Sequence, residues 1–358
     1  MKILLCTLEY PPQIGGVASY YHDLIESWPE KDAWTVLDNN ENKLLASRWP
    51  FPWRRAISAL VKEQTKNKFD LIFIGQVLPL GTAALIAQLF KPFAYGIFLH
   101  GMDFTFALRS KRKRWLLALI LKKSKTIICA NSYVKKLLIE FIPEIESKSF
   151  LLNPGAKFGE NNEEVKKALV DKYELAGKKI IFSIGRLVKR KGFDQVILAL
   201  ENLSQSNWVY LLAGDGPELA SLQALANKSK HRDKIKFIGR ISEIEKWSCL
   251  ELCDIFITTS RDLNGDFEGF GIVYLEAALM SKPVIAGLSG GVADAVINAE
   301  TGLLVNSEDI NAISRALDDL LSNDDLAKKL GEAACVRAKS DFNWTLQAEK
   351  LFKYLKTF

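Results

Sequence analysis

Short apolar runs alternate along this chain with longer stretches whose apolar positions recur every three to four residues. The runs Lys2–Cys6, Trp34–Leu37, Leu71–Ile74, Ala94–Leu99 and Thr126–Ala130 are bounded by turn residues and read as strands. Helical spacing occupies the intervals Val17–Ser27, Arg54–Lys66, Gly81–Phe90, Lys111–Lys123 and Tyr133–Phe141. Runs that are apolar throughout imply strands buried on both faces, hence a parallel sheet with right-handed crossover helices.

The pattern breaks at Asn153-Pro154-Gly155, and the polar stretch Lys157–Lys167 reads as a linker. It restarts with strands at Lys179–Ile184, Trp208–Ala213, Lys234–Ile238, Asp254–Thr258, Pro283–Ala286 and Leu303–Val305. Helices are predicted at Phe193–Leu203, Glu218–Lys228, Glu243–Leu252, Gly271–Met280 and Glu308–Leu321, and a final one at Trp344–Leu355. The expected class is therefore α/β, with two doubly wound Rossmann-like domains facing across a cleft. Their expected limits are 1–157 and 158–340, with 341–358 as a closing helix that packs back toward the first domain. A length of 358 residues is ample for two separate cores.

Charge divides unevenly. Met1–Gly155 holds 21 Lys/Arg against 13 Asp/Glu, a net of +8, and the remainder holds 27 against 29, a net of −2. Eight of the N-terminal cations lie between Arg109 and Lys125 with no acid among them. Such a segment fits either an anionic partner surface or a solvated helix face. No apolar run approaches the ~20 residues of a membrane span, and Met1-Lys2 leads straight into a strand with no secretory signature. The scattered Cys6, Cys129, Cys249, Cys253 and Cys335 have neither disulfide nor zinc spacing and point to a reducing compartment, the cytoplasm.

In such folds ligands gather beyond the carboxyl ends of the strands. Gly185-Arg186 and Lys189-Arg190-Lys191-Gly192 follow one predicted strand and precede a helix, which makes an anion site; the P-loop spacing is absent. Gly214-Asp215-Gly216-Pro217 follows the next, but Leu219 stands where a dinucleotide fingerprint needs a small residue. In Asp266-Phe267-Glu268-Gly269-Phe270-Gly271-Ile272, two glycines let backbone approach a ligand at a helix start. Glu276, four residues on, sits among apolar neighbours and needs donors, either ribose hydroxyls or an internal cation. His100-Gly101-Met102-Asp103 follows a strand in the first half. Gly15-Gly16 opens the first helix, suiting close approach to a phosphate or serving only as a flexible connector.

Taken in order, these loops resemble the retaining, GT-B-fold glycosyltransferases of family four. The matching pieces are Pro-Pro-x-x-Gly-Gly-Val, His-Gly-x-Asp, Gly-Arg-x5-Gly, Gly-Asp-Gly-Pro, Phe-x-Gly and a Glu-x7-Glu pair. The stretch Glu268–Ala278 is most similar to the bacterial phosphatidylinositol mannosyltransferase branch. The resemblance implies that Arg186 and Lys191 bind the donor diphosphate, Glu276 the ribose and Glu268 the donor sugar. It implies that His100 lies beside the transferred sugar, and it makes His100, Glu268, Arg186 and Lys191 the catalytic set. Gly15, Gly16, Gly185, Gly269, Phe270, Gly271 and Ile272 are then donor-binding, with Arg240 and Ile241 flanking the base. The loop Arg261–Phe267 is longer and more polar than in many relatives.

The implied activity is transfer of a hexose from a nucleotide sugar to a hydroxyl of a lipid-linked or cell-envelope glycan acceptor. GDP-mannose is favoured, and a UDP-hexose or UDP-N-acetylhexosamine is the alternative. No Asp-x-Asp triplet occurs, so no essential metal and no cofactor beyond the sugar nucleotide are expected. Arg109–Lys125 together with Trp49–Arg55 suits docking on an anionic leaflet at the inner face of the membrane. A nucleotide-binding module without catalysis is the non-enzymatic alternative. Nucleic acid is not expected as a partner, because no reader motif is present.

Overall fold

The structure is a computed structural model describing residues 1–13, 15–45 and 51–358. Ile14 of the first loop, and Trp49 and Pro50 of the aromatic-basic segment, lie outside the described residues. The chain divides into two compact units, Met1–Gly155 with Trp344–Phe358, and Ala156–Asn343.

In the first unit the order is β1 (Ile3–Cys6), α1 (Gly16–Glu26), β2 (Trp34–Leu37), α2 (Arg54–Asn67), β3 (Leu71–Ile74), α3 (Leu80–Phe90), β4 (Tyr95–Leu99), α4 (Met102–Leu108), α5 (Lys111–Lys123), β5 (Thr126–Cys129), α6 (Ser132–Phe141) and β6 (Ser149–Leu151). The strands form one parallel sheet ordered β2-β1-β3-β4-β5-β6. The order reverses at β1 and β3, so the loops after these strands flank the crevice where ligands of doubly wound sheets bind. Strand β6 has no counterpart in the sequence reading, because three residues are too few to show a period.

The second unit contains α7 (Glu163–Tyr173), β7 (Lys179–Ile184), α8 (Phe193–Leu200), β8 (Trp208–Ala213), α9 (Leu219–Lys228), β9 (Ile235–Gly239), α10 (Glu243–Leu252), β10 (Ile255–Thr258), α11 (Ile272–Leu279), β11 (Val284–Gly287), α12 (Val292–Ala295), β12 (Leu303–Val305), α13 (Ile310–Ser322) and α14 (Asp324–Asp341). Its parallel sheet runs β12-β11-β10-β7-β8-β9, with the reversal between β7 and β10. Side chains alternate between two cores. Phe182, Val209 and Leu211 enter one, while Ile181, Tyr210 and Leu212 enter the other. This is the physical basis of the unbroken apolar runs.

Polar residues set where helices begin. The side chains of Asn131, Asn162, Ser242, Asp309 and Asn323 each accept a first-turn backbone N–H, opening α6, α7, α10, α13 and α14. The stretch expected as a linker, Lys157–Lys167, is corrected here: Asn162 caps a helix from Glu163, and its acids Glu163 and Glu164 suit the positive end of the helix dipole. Polar composition alone hid that start.

The last helix, α15 (Trp344–Leu355), belongs to the first unit. Trp344 sets its ring edge-on to Tyr20 at 5.1 Å, and Ala348, Leu351 and Leu355 join the core holding Tyr20, Leu24 and Phe98. Gly155 is required at that junction, since a Cβ would lie 2.7 Å from the Trp344 ring.

Candidate active site

In the second unit the loops following β7 and β10 are bound to each other where the strand order reverses. Thr259 donates its hydroxyl to the Gly192 carbonyl at 2.7 Å, and the Arg261 amide donates to the Arg190 carbonyl at 2.8 Å. Arg261 is buried and reaches both carboxylate oxygens of Asp194, at 3.0 and 2.8 Å. Gly192 has a left-handed φ of +70°, and a Cβ there would meet the Thr259 carbonyl at 2.0 Å, so only glycine permits this approach.

This frame brings Lys191 and Arg190 onto Glu268. The Lys191 ammonium lies 2.5 Å from Glu268 Oε2, the Arg190 guanidinium 2.9 Å from the same oxygen, and the Ser260 hydroxyl donates to it at 3.1 Å. Glu268 is 8% exposed. Burial would raise its pKa, but Lys191 and Arg190 outweigh that and hold it at about 2. All three contacts fall on Oε2, and Oε1 carries none among the described residues. Arg190 also lies 3.1 Å from an Asp266 oxygen. Arg186, from the same loop, is exposed and has no ion pair among the described residues. Cations gathered at one strand end, with one left unpaired, make a site for a polyanion.

The α11 terminus stands beside Glu268 in sequence. Gly271, its N-cap, has φ +81°, and a Cβ would strike the Tyr274 ring at 2.4 Å. The Phe270 ring is buried against Phe342 at 5.6 Å, and Ile272 is half-buried at the start of the helix. Glu276 accepts from the Lys246 ammonium at 2.7 Å, and Lys246 also pairs with Glu243 at 2.7 Å. Burial would lower the Lys246 pKa, but Glu276 and Glu243 raise it. Of the two partners open to Glu276, an internal cation is thus present. Arg240, after β9, bonds Asp215, after β8, at 3.1 Å and takes no part in the Glu268 cluster; Ile241 packs against the core that holds Phe182 and Trp247. Gly185 lies at the end of β7 with its would-be Cβ 3.6 Å from the Lys191 and Phe193 side chains.

The first unit carries its own cluster. His100 Nε2 is 2.8 Å from the Tyr21 hydroxyl, and the imidazole is walled by the rings of Tyr20 at 4.9 Å and Tyr21 at 5.1 Å. Burial pushes its pKa down to about 4, so it is neutral at pH 7. Asp103 receives the Gly101 and Val77 amides at 3.3 and 3.4 Å, and burial raises its pKa. Glu9 is half-buried; burial, then the nearby charge of Asp103, raises its pKa as well. Gly15 and Gly16 have open space around them without the left-handed φ that Gly177 and Gly239 carry. A Cβ on Gly16 would meet nothing within 4 Å, and one on Gly15 would only touch a Glu9 carboxylate oxygen at 3.7 Å. The protein's own packing therefore does not demand glycine at the start of α1.

Sequence reasoning missed four participants: Arg190, Ser260, Lys246 and Tyr21. Arg190 had a signal in the cationic run that includes Lys191. Lys246 and Tyr21 had none, because their partners are 30 and 79 positions away. Among the described residues no group of three or more His, Cys, Asp or Glu is placed to hold a metal ion, and no helix is long and apolar enough to cross a membrane.

Residues 165–337 match the family model described as "Glycosyl transferases group 1". A Corynebacterium glutamicum protein named as a GDP-mannose-dependent monoacylated alpha-(1-6)-phosphatidylinositol monomannoside mannosyltransferase is 26% identical over 99% of this chain and 98% of its own length. A Mycobacterium tuberculosis protein, named as a GDP-mannose-dependent alpha-(1-6)-phosphatidylinositol monomannoside mannosyltransferase, is 25% identical with the same coverage. Among solved structures, Anabaena HepE in complex with UDP superposes with a TM-score of 0.84 at 18% identity, covering 100% of both chains.

Proposed function

We propose that the chain is a group 1 glycosyltransferase of GT-B fold that uses a nucleotide sugar, with GDP-mannose as donor and a hydroxyl on a lipid-linked or cell-envelope glycan as acceptor. The observation that carries the donor assignment is the full-length similarity to relatives whose names specify GDP-mannose. A UDP-sugar is the second reading. Transfer of an N-acetylhexosamine, the sugar of this second reading, is what the name of a Niallia circulans 2-deoxystreptamine N-acetyl-D-glucosaminyltransferase specifies, 27% identical over 44% of this chain.

In this reading Arg186 and Lys191 receive the donor diphosphate, aided by the backbone of Gly269, Phe270, Gly271 and Ile272 at the start of α11. Arg190 joins them, since it already shares an oxygen of Glu268 with Lys191. Glu268 takes hydroxyls of the sugar through Oε1, and Glu276 takes the ribose, exchanging part of its bond to Lys246. Arg240 and Ile241 flank the base, while Gly15, Gly16 and His100 serve the first unit's side of the reaction. The bond from the anomeric carbon to the diphosphate breaks, and negative charge grows on the leaving oxygen. Fixed cations facing that charge lower the barrier, commonly the largest catalytic contribution. The acceptor oxygen bonds to the anomeric carbon and its proton passes to the departing diphosphate, with retention of configuration and without an essential metal.

Lys111–Trp115 opens α5 as five consecutive exposed residues, Trp115 being 69% exposed. Exposed Met102 and Phe106 stand on the preceding helix, and Arg109 lies 4.4 Å over the Phe106 ring. Cations interleaved with exposed apolar groups support peripheral attachment to an anionic leaflet, on the cytoplasmic side where sugar nucleotides are made.

The test is calorimetry with GDP-, UDP- and ADP-sugars, followed by incubation of the preferred donor with a cell-envelope lipid extract. GDP-mannose binding and an α-mannosylated lipid are expected. A preference for a UDP-sugar overturns the donor assignment, and a β-linked product overturns retention.

A further inference from the structure

The Tyr21 hydroxyl lies between two partners, 2.7 Å from the Gly75 carbonyl oxygen and 2.8 Å from His100 Nε2. Tyr21 is fully buried, so its hydroxyl has no access to bulk water, while His100 is half-buried. A phenol carries one proton, and a carbonyl can only accept. Donation to Gly75 leaves the phenol oxygen as acceptor, and its remaining partner must donate. The opposite assignment would set phenol and carbonyl lone pairs face to face at 2.7 Å and leave a buried carbonyl unpaired.

We infer that Tyr21 is a positioning residue: it locks His100 as the Nε2–H tautomer, so Nδ1 is the one open position on the ring and can only accept a hydrogen bond. No partner to Nδ1 exists among the described residues. A ligand group meeting Nδ1 must therefore be a donor, such as a hydroxyl; a phosphate or carbonyl oxygen is repelled. That the hydroxyl belongs to a sugar rests on the function proposed above.

The surrounding fold makes the lock rigid. A Cβ on Gly75 would lie 2.7 Å from the Thr7 hydroxyl and 3.0 Å from that of Tyr21, so a larger residue would force Thr7 to shift and crowd the phenol. Tyr20 and Tyr21 meet the imidazole edge-on, and Phe98 lies nearly parallel to it at 6.3 Å, which opposes a ring flip. Neutrality, enforced by burial, leaves the Nδ1 lone pair available at pH 7.

The test uses nitrogen-15-labelled full-length protein without nucleotide. Substituting His22→Gln and His231→Gln leaves His100 alone of the three histidines. Long-range proton–nitrogen correlation spectra at pH 7 should show a pyridine-type Nδ1 and a pyrrole-type Nε2. A proton on Nδ1 overturns the inference, whatever any variant does. Tyr21→Phe should average the two nitrogen signals and lower mannosyl transfer roughly tenfold, the worth of about one hydrogen bond, with GDP affinity unchanged. An unaltered tautomer in Tyr21→Phe also overturns the lock. If the wild-type tautomer is as inferred but no sugar nucleotide is turned over, the functional reading fails and this inference stands.

Discussion

Arg190 and Glu268, 78 positions apart in the sequence, hold each other at 2.9 Å where the second sheet reverses its strand order. Lys191 shares the same carboxylate oxygen at 2.5 Å. Two cations thus sit on the acid assigned to the sugar, and they are also the groups a diphosphate would draw on. In the proposed function the acid and the phosphates compete for one set of charges, which a single substitution can separate.

Glu268→Gln removes the competitor. Bare GDP, which lacks the sugar, should bind several-fold more tightly to this variant than to wild type, while transfer falls by at least a hundredfold. Calorimetry with GDP and a product assay read the two effects. Weaker GDP binding would show that Glu268 preorganises the cations instead of competing for them.

The same pair links stability to pH. Glu268 falls from an ordinary 4.5 to about 2 in the folded chain, a contribution on the order of 3 kcal/mol. The folded form holds the carboxylate ionised while the unfolded form protonates first. The contribution is therefore complete above about pH 4.5 and is lost as pH falls toward 2. The acid-side loss of Tm in wild type should be blunted in Glu268→Gln, which carries no titrating group at this position. Parallel melting curves would refute it.

Gly16→Ala separates packing from chemistry. A Cβ there meets nothing within 4 Å, and alanine is the better helix former. Thermal stability should hold or rise by up to ~1 kcal/mol. Nucleotide-sugar turnover should drop by more than tenfold, because the methyl group fills space meant for the ligand. Unchanged turnover would remove the start of α1 from the reaction.

His100 should not titrate in the physiological range. Burial lowers its pKa to about 4, while the unfolded chain protonates near 6.5. Stability from this residue is complete above pH 6.5 and declines as pH falls toward 4. The pH–rate profile between 5 and 8 should keep its shape in His100→Gln, although the rate falls. A limb near pH 6.5 that vanishes in the variant would contradict this.

Charge reversal on α5 tests the membrane. Replacing Arg112, Lys113 and Arg114 by Glu should abolish co-sedimentation with phosphatidylglycerol-containing vesicles and leave GDP binding unaltered. Retained sedimentation would return this face to simple solvation.

The sequence by itself determined the strand–helix alternation, the two-unit plan, the closing helix, the strand-end segments bearing Arg186, Lys191, Glu268 and His100, and the helix bearing Glu276. It could do so because a strand buried on both faces must be apolar throughout, and because glycine and cation signals at strand ends are local. It could not show that Arg190 joins Lys191 on Glu268, that Lys246 meets Glu276, or that Tyr21 sets the tautomer of His100. Those pairings arise from strand order, which brings together loops and helices that are distant in the chain. The start of α7 and strand β6 escaped for different reasons: a polar first turn hid the helix that Asn162 caps, and three residues leave no period to read. Local periodicity is written in the order of residues, whereas which charge faces which is settled only when the sheets assemble.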